Sequence, residues 1–188
     1  MTQLRKTNDA LILATLYINS GEVSEEELRS IESLLTCISG GNATIALSEK
    51  REELVRLRAS NELYFKKHPH DYIVIVGDCK IKSQVLVGLF NSLGIERKNL
   101  KMFTDYDHLK KIFPFNDINS LSTKGVLIGS IPHSVSGLNG FASPKQAIES
   151  AAQKNKAFIF CAPELKISKE VIRTFARNIS IDLQSKSP

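Results

Sequence analysis

The apolar positions of this chain change their period once, near residue 70, and the change separates two kinds of structure. Upstream they recur at helical spacing. Residues 8–19 carry Leu11, Ile12, Ala14, Thr15, Leu16 and Ile18 behind Asn8 or Asp9 as a cap, which predicts a short buried helix. After the break at Ser20-Gly21, Ser24 and Glu27 stand at the spacing of a capping box, in which each side chain satisfies the other's free backbone donor. The second helix then shows Leu28, Ile31, Leu34, Leu35 and Ile38 on one face and stops at Gly40-Gly41. Residues 43–67 predict a third, long and exposed helix, with Arg51, Arg56 and Arg58 interleaved with Glu49, Glu52 and Glu53. Pro69, between His68 and His70, ends it.

Downstream, short aliphatic runs alternate with helical stripes. Residues 72–76 read Tyr-Ile-Val-Ile-Val, apolar on both faces, as a strand in the middle of a covered sheet must be. A helix follows over residues 83–93, a strand over 100–104, a short helix over 108–112, and a loop or single turn over 113–122. The strand expected at 125–128 ends on Gly129 and opens a long loop before Ser143-Pro144, a strong helix start with serine as cap and proline in the first turn. Helix 144–154, strand 157–161 and a last helix over 168–178 complete the pattern, with a polar, frayed tail behind.

This alternation predicts an α/β fold, a Rossmann-like or flavodoxin-like three-layer sandwich with a mainly parallel sheet of about four strands, behind an all-helical N-terminal segment. The expected organisation is residues 1–69 helical, 70–182 α/β and 183–188 tail. The 188 residues, 42% hydrophobic and 24% charged, suit one good core and a small appendage. No long apolar run and no leader-like start are evident, and the three cysteines form no paired motif, so the expectation is a cytoplasmic protein with free thiols. A net charge of +5 can help attract anionic partners, nucleic acid included, but Lys and Arg are spread along the whole chain, often beside Glu, and this favours a mixed-charge solvated surface.

In a parallel sheet every loop that follows a strand lies on one edge, which gathers loops 77–80, 105–107, 129–134 and 161–164. The ligand-binding candidates there are Gly77, Asp78, Lys80, Asp105, Gly129, Ser130, His133, Ser134, Ser136 and Gly137. Glycines permit close backbone approach to a phosphate, Lys80 or Lys82 adds positive charge, and Asp105 stands where a carboxylate can accept ribose hydroxyls. Neither GxGxxG nor GxxxxGK[ST] is present, and Asp78 would repel a phosphate set directly on its loop.

Catalytic candidates are Cys79 with His133, or Asp78, Asp105 and Asp107 around a magnesium ion. The span 73–95 resembles in outline the first strand and helix of a toprim nucleotidyl-transfer domain. The glutamate of that strand is replaced around Gly77 and the Asp105/Asp107 pair follows the wrong strand, so no family assignment is carried over. Without a complete catalytic constellation, the preferred expectation is a non-catalytic or regulatory protein that binds a nucleotide or another anionic small molecule. It has no metal and no cofactor, and its N-terminal helices mediate homo-oligomerisation or contact with a partner protein. The alternatives are a metal-dependent enzyme acting on a nucleotide or phosphoester, with magnesium entering only there, and a nucleic-acid-associated accessory protein. No membrane association is expected.

Overall fold

The structure is a computed structural model and describes residues 42–186. The helices expected over 8–19 and 24–38, with the capping box and the glycine stop, lie outside the described residues. By compactness the chain divides into residues 1–56 and 57–188. The long helix α1 (Asn42–Lys67) runs through this division. In its first part Arg56 pairs with Glu52 one turn back at 3.0 Å, both side chains exposed, in keeping with the charge pattern of a solvated helix. In its second part Leu57, Asn61 and Phe65 recur every four residues and are buried. These side chains explain why the compact boundary falls a dozen residues before the proline that stops the helix.

The second unit is a four-stranded, all-parallel sheet in the order β2-β1-β3-β4, formed by β1 (Tyr72–Val76), β2 (Leu100–Phe103), β3 (Thr123–Ile128) and β4 (Phe158–Cys161). All five residues of β1 are buried, as expected of a run apolar on both faces. Their alternation feeds two cores. Val74, Val76, Val126 and Ile128 face Leu109 of α3 (Tyr106–Lys111), Ile118 of α4 (Phe115–Ile118) and Ala147, Ile148 and Ala151 of α5 (Pro144–Asn155). The opposite face is covered by α2 (Ser83–Ser92) and α6 (Lys169–Ser185), whose Phe90 and Phe175 rings meet edge to face at 6.4 Å. Gly125 admits α6 to this face, because a Cβ there would collide with Ile179 and come within 3.1 Å of Phe175.

The strand order explains the layering. From β1 the chain travels one way to β2, then back past β1 to β3 and on to β4. Right-handed crossovers running in opposite directions put their helices on opposite faces. This reversal creates a topological switch point between β1 and β3, the place where open α/β sheets hold ligands.

Two expectations are corrected. Helix α3 begins at Tyr106 rather than 108, since the Asp105 side chain accepts the His108 amide at 2.7 Å and serves as its cap. Helix α6 runs on to Ser185, well past 178 and into the supposed tail. Its stripe Ile172, Phe175, Ala176, Ile179 and Leu183 is buried to the end, and Lys186 donates to the Lys156 carbonyl at 2.7 Å. The polar residues between these positions hide the stripe from a reading by composition. No described helix is long and apolar enough to cross a membrane.

Candidate functional site

The switch point is closed at its base. One residue beyond the strands, the Asp78 amide donates to the Ser130 carbonyl at 2.7 Å, a short antiparallel bridge between the loops that leave β1 and β3. The Gly129 amide donates to Val76 at 2.8 Å and the Gly77 amide to Phe103 at 3.0 Å, so the ladder continues into the loops. Gly77 has φ +116°, and a Cβ on it would lie 2.6 Å from the Gly129 carbonyl carbon. A Cβ on Gly129 would lie 2.9 Å from Ile167 Cδ1 and 3.2 Å from the Asp78 carbonyl oxygen. The two glycines let the loops close on one another, which is a packing use of the conformational freedom that phosphate loops employ.

A cleft opens beside this closure. It has a volume of about 430 Å³ and lies between the ends of β3 and β4 and the first turn of α5. Its walls are chiefly Ile128, Ile131, Pro132, Ile148, Ile159 and Leu165, with His133, Lys145, Glu149 and Cys161 as its ionisable groups. At the start of α5 Pro144 has no N–H, and the Ser143 hydroxyl takes the Gln146 amide at 3.2 Å, which leaves the Lys145 amide as the free first-turn donor. Lys145 itself stands 3.8 Å from Glu149 on an exposed turn. Leu165 is 47% exposed over the cleft and holds φ +56°, next to Glu164 at φ +50°. Two successive non-glycine residues in the left-handed region cost on the order of 1–3 kcal/mol each, and such strain concentrates where a chain must present a particular side chain.

No known protein family, characterised protein or solved structure matches this chain. What the edge can bind therefore rests on its own chemistry.

The structure divides the residues singled out in the sequence. Gly129 and His133 line the cleft, and Gly77, Asp78 and Ser130 form the closure beside it. Ser136 and Gly137 are drawn away. The Ser136 amide donates to the Lys110 carbonyl at 3.1 Å and its carbonyl accepts the Phe113 amide at 2.9 Å, so this part of the loop is stitched across the end of α3. Ser134 and Lys80 are exposed. Asp105 is occupied as a helix cap and Asp107 is paired with Lys110 at 3.0 Å, both exposed. Among the described residues no three His, Cys, Asp or Glu side chains gather to hold a metal, so Asp78, Asp105 and Asp107 do not form the site that the magnesium reading needs. Burial pushes the Cys79 thiol above its ordinary range, the backbone of Ile81 pulls it down in part, and the Asp78 charge pushes it up again. A half-buried thiol held in its protonated form is a poor nucleophile at neutral pH.

Sequence reasoning missed Lys145, Glu149, Ile131, Pro132, Ile148, Ile159 and Leu165. The signal was present in Ile131 and Pro132, apolar residues opening an otherwise polar loop, which is what a loop folded over a cleft requires.

Proposed function

We propose that this chain is a non-catalytic ligand-binding protein whose site is the cleft at the ends of β3 and β4, and that its ligand has an apolar body and a single negative group. The observation that carries this reading is the lining: apolar walls at the carboxyl edge, next to the switch point, with one free helix amide at the rim and one lysine in a long, exposed pairing with Glu149 that an anion can replace. An aromatic carboxylate or a nucleoside monophosphate fits that lining better than a di- or triphosphate, for which the edge offers neither a glycine cradle nor a cluster of cations. The strained Leu165 turn supports the same reading, since it holds an exposed apolar side chain over the cleft.

Cys161 is exposed and lies in the cleft, so the protein carries its own reporter. A panel of aromatic monocarboxylates and nucleoside monophosphates is screened by thermal unfolding, with iodoacetamide labelling followed by peptide mass spectrometry. A ligand at about a hundred times its Kd adds about 2.7 kcal/mol of stability, a rise of roughly 5–10 °C for a chain of this size, and shields Cys161. Cys161→Trp fills the cleft from an exposed position and abolishes the rise in Tm, while shielding of the thiol is read in the unsubstituted chain. A ligand-induced rise in Tm that survives Cys161→Trp, or leaves Cys161 open to alkylation, refutes the assignment.

A further inference from the structure

The opposite edge of the sheet has a different chemistry. Residues 57–188 carry 19 Lys and Arg against 11 Asp and Glu, whereas residues 1–56 carry 6 against 9, so the α/β unit is the strongly basic part of the chain. Its carboxylates are largely engaged: Glu62, Asp71, Glu96, Asp107, Asp117, Glu149, Glu164, Glu170 and Asp182 each stand within 4 Å of a lysine or arginine. The surplus positive charge must face solvent or a ligand.

Part of that surplus lines a cavity. At the amino ends of β1 and β2 a hollow of about 810 Å³ is bordered by Arg58 and Lys66 of α1 on one side and by Arg97 and Lys98 on the other. Arg58 holds Glu62 at 2.7 Å and Lys98 holds Glu96 at 2.8 Å, with all four side chains at least half exposed. Neither Lys66 nor Arg97 has a carboxylate partner among the described residues. Arg97 uses one nitrogen on the Leu100 carbonyl at 2.8 Å and keeps further guanidinium donors free. The frame around them is closely packed. Gly94, at φ +81°, packs directly on the Arg58 carbonyl, and the buried Asn99 donates from one amide nitrogen to the Asp71 carbonyl at 2.8 Å. Helices α1 and α2 both end here, and their negative ends would disfavour an anion. The end of α2 is satisfied, however, since the Gly94 and Ile95 amides return to the Asn91 and Phe90 carbonyls and Asn61 donates to the Leu93 carbonyl at 2.8 Å.

We infer that this cavity is a phosphate-binding site, separate from the carboxyl-edge cleft, in which Lys66 and Arg97 make the first contacts. Exposed ion pairs contribute little, so Arg58 and Lys98 can exchange a glutamate for a phosphate oxygen at small cost. Guanidinium and ammonium groups on two walls grip a tetrahedral dianion from both sides. The phosphate belongs either to a phosphorylated small molecule or to the backbone of a single strand of nucleic acid, and salt dependence tells the two apart.

The full chain is titrated with inorganic pyrophosphate by calorimetry and with a fluorescein-labelled single-stranded ten-nucleotide DNA by anisotropy, at fixed and at varied salt. Binding of either probe, weakened about tenfold for each of Lys66→Gln and Arg97→Gln and unchanged by Lys169→Gln, is the expected result. Pyrophosphate binding alone identifies a small phosphorylated ligand. Strand binding that falls steeply with salt, on a slope that becomes shallower in the Lys66→Gln and Arg97→Gln variants, identifies a phosphodiester backbone. The inference is overturned if neither probe binds, or if Lys169→Gln weakens binding as much as the cavity variants do, because net charge alone then accounts for the effect. Cys161→Trp should leave pyrophosphate binding intact, so failure of this site and failure of the apolar cleft are separable.

Discussion

Replacing Gly77 by alanine tests whether the switch point is truly closed. The substitution adds two penalties that can be measured apart. The first is conformational: φ +116° is foreign to an L side chain and costs on the order of 1–3 kcal/mol. The second is steric. The new methyl would sit 2.6, 2.8 and 2.9 Å from the backbone atoms C, Cα and N of Gly129, and backbone cannot swing aside as a flexible side chain does. Overpacking of this kind adds about 1–3 kcal/mol. Together they predict a loss of about 2–6 kcal/mol, a fall of roughly 4–24 °C in Tm for a chain of this length. Gly140→Ala is the control, because Gly140 shares a positive φ of +91° but has nothing within 4 Å of its Cβ position. Thermal unfolding followed by circular dichroism should place Gly77→Ala well below Gly140→Ala, the gap being the steric part. If the two variants melt together, the loops from β1 and β3 are not clamped. Gly77 then returns to being an ordinary turn glycine, or a phosphate-loop glycine whose loss would impair binding and spare stability.

Gly88 lies inside α2 with open space around its Cβ position, so Gly88→Ala should raise stability by about 0.5–1 kcal/mol in denaturant titration. Leu165→Gly relieves the left-handed strain over the cleft. It should leave stability unchanged or slightly raised while weakening any ligand that calorimetry detects there. Burial pushes Tyr64 well above the ordinary tyrosine value, and so does its hydrogen bond to the Asp71 carboxylate at 2.9 Å, with the charges of Asp71 and Asp182 adding to it. The folded chain therefore holds that proton more tightly than the unfolded chain. The contribution is complete below the unfolded value of about 10 and is lost as pH rises from there toward the folded value. Tyr64→Phe should accordingly lower Tm at pH 8 by the loss of one hydrogen bond and flatten the alkaline decline measured above pH 10. Iodoacetamide at pH 8, with peptide mapping, should modify exposed Cys161 well before Cys79, whose thiol burial keeps protonated.

The layers of the fold were legible because period and burial coincide in this chain. The run from Tyr72 to Val76 is apolar at every position and buried at every position, and Ser143-Pro144 caps α5 as their chemistry requires. The strand order was not legible. Nothing local in Leu100–Phe103 says that it pairs on the far side of β1 from β3, since order is set by the handedness of crossovers and by which faces remain to be covered. The site was half legible for a related reason. Parallel topology brings loop residues to one edge, and His133 and Gly129 arrive at the cleft by that rule. Topology does not say which loop side chains are already engaged. Asp105 and Asp107 look free in sequence and are occupied in the fold, as a cap and as an ion pair across three residues. The basic surplus of the α/β unit was open to simple counting but was masked by averaging over the whole chain, because the first 56 residues are acidic.

The strand order has a consequence for how this protein is made. Its most apolar strand, β1, is the first of the four described strands to leave the ribosome, yet it needs a neighbour on each side. The neighbour on the side of β3 begins with Thr123 opposite Tyr72, roughly fifty residues later, or about 3–10 seconds at ordinary rates of synthesis. Throughout that interval one edge of Tyr-Ile-Val-Ile-Val, uncharged and free of proline, stays unpaired and open to association with other nascent chains. Pairing between segments so far apart in sequence also slows folding. Expression yield in cells should thus depend more on temperature and chaperone supply than the stability of the finished protein would suggest.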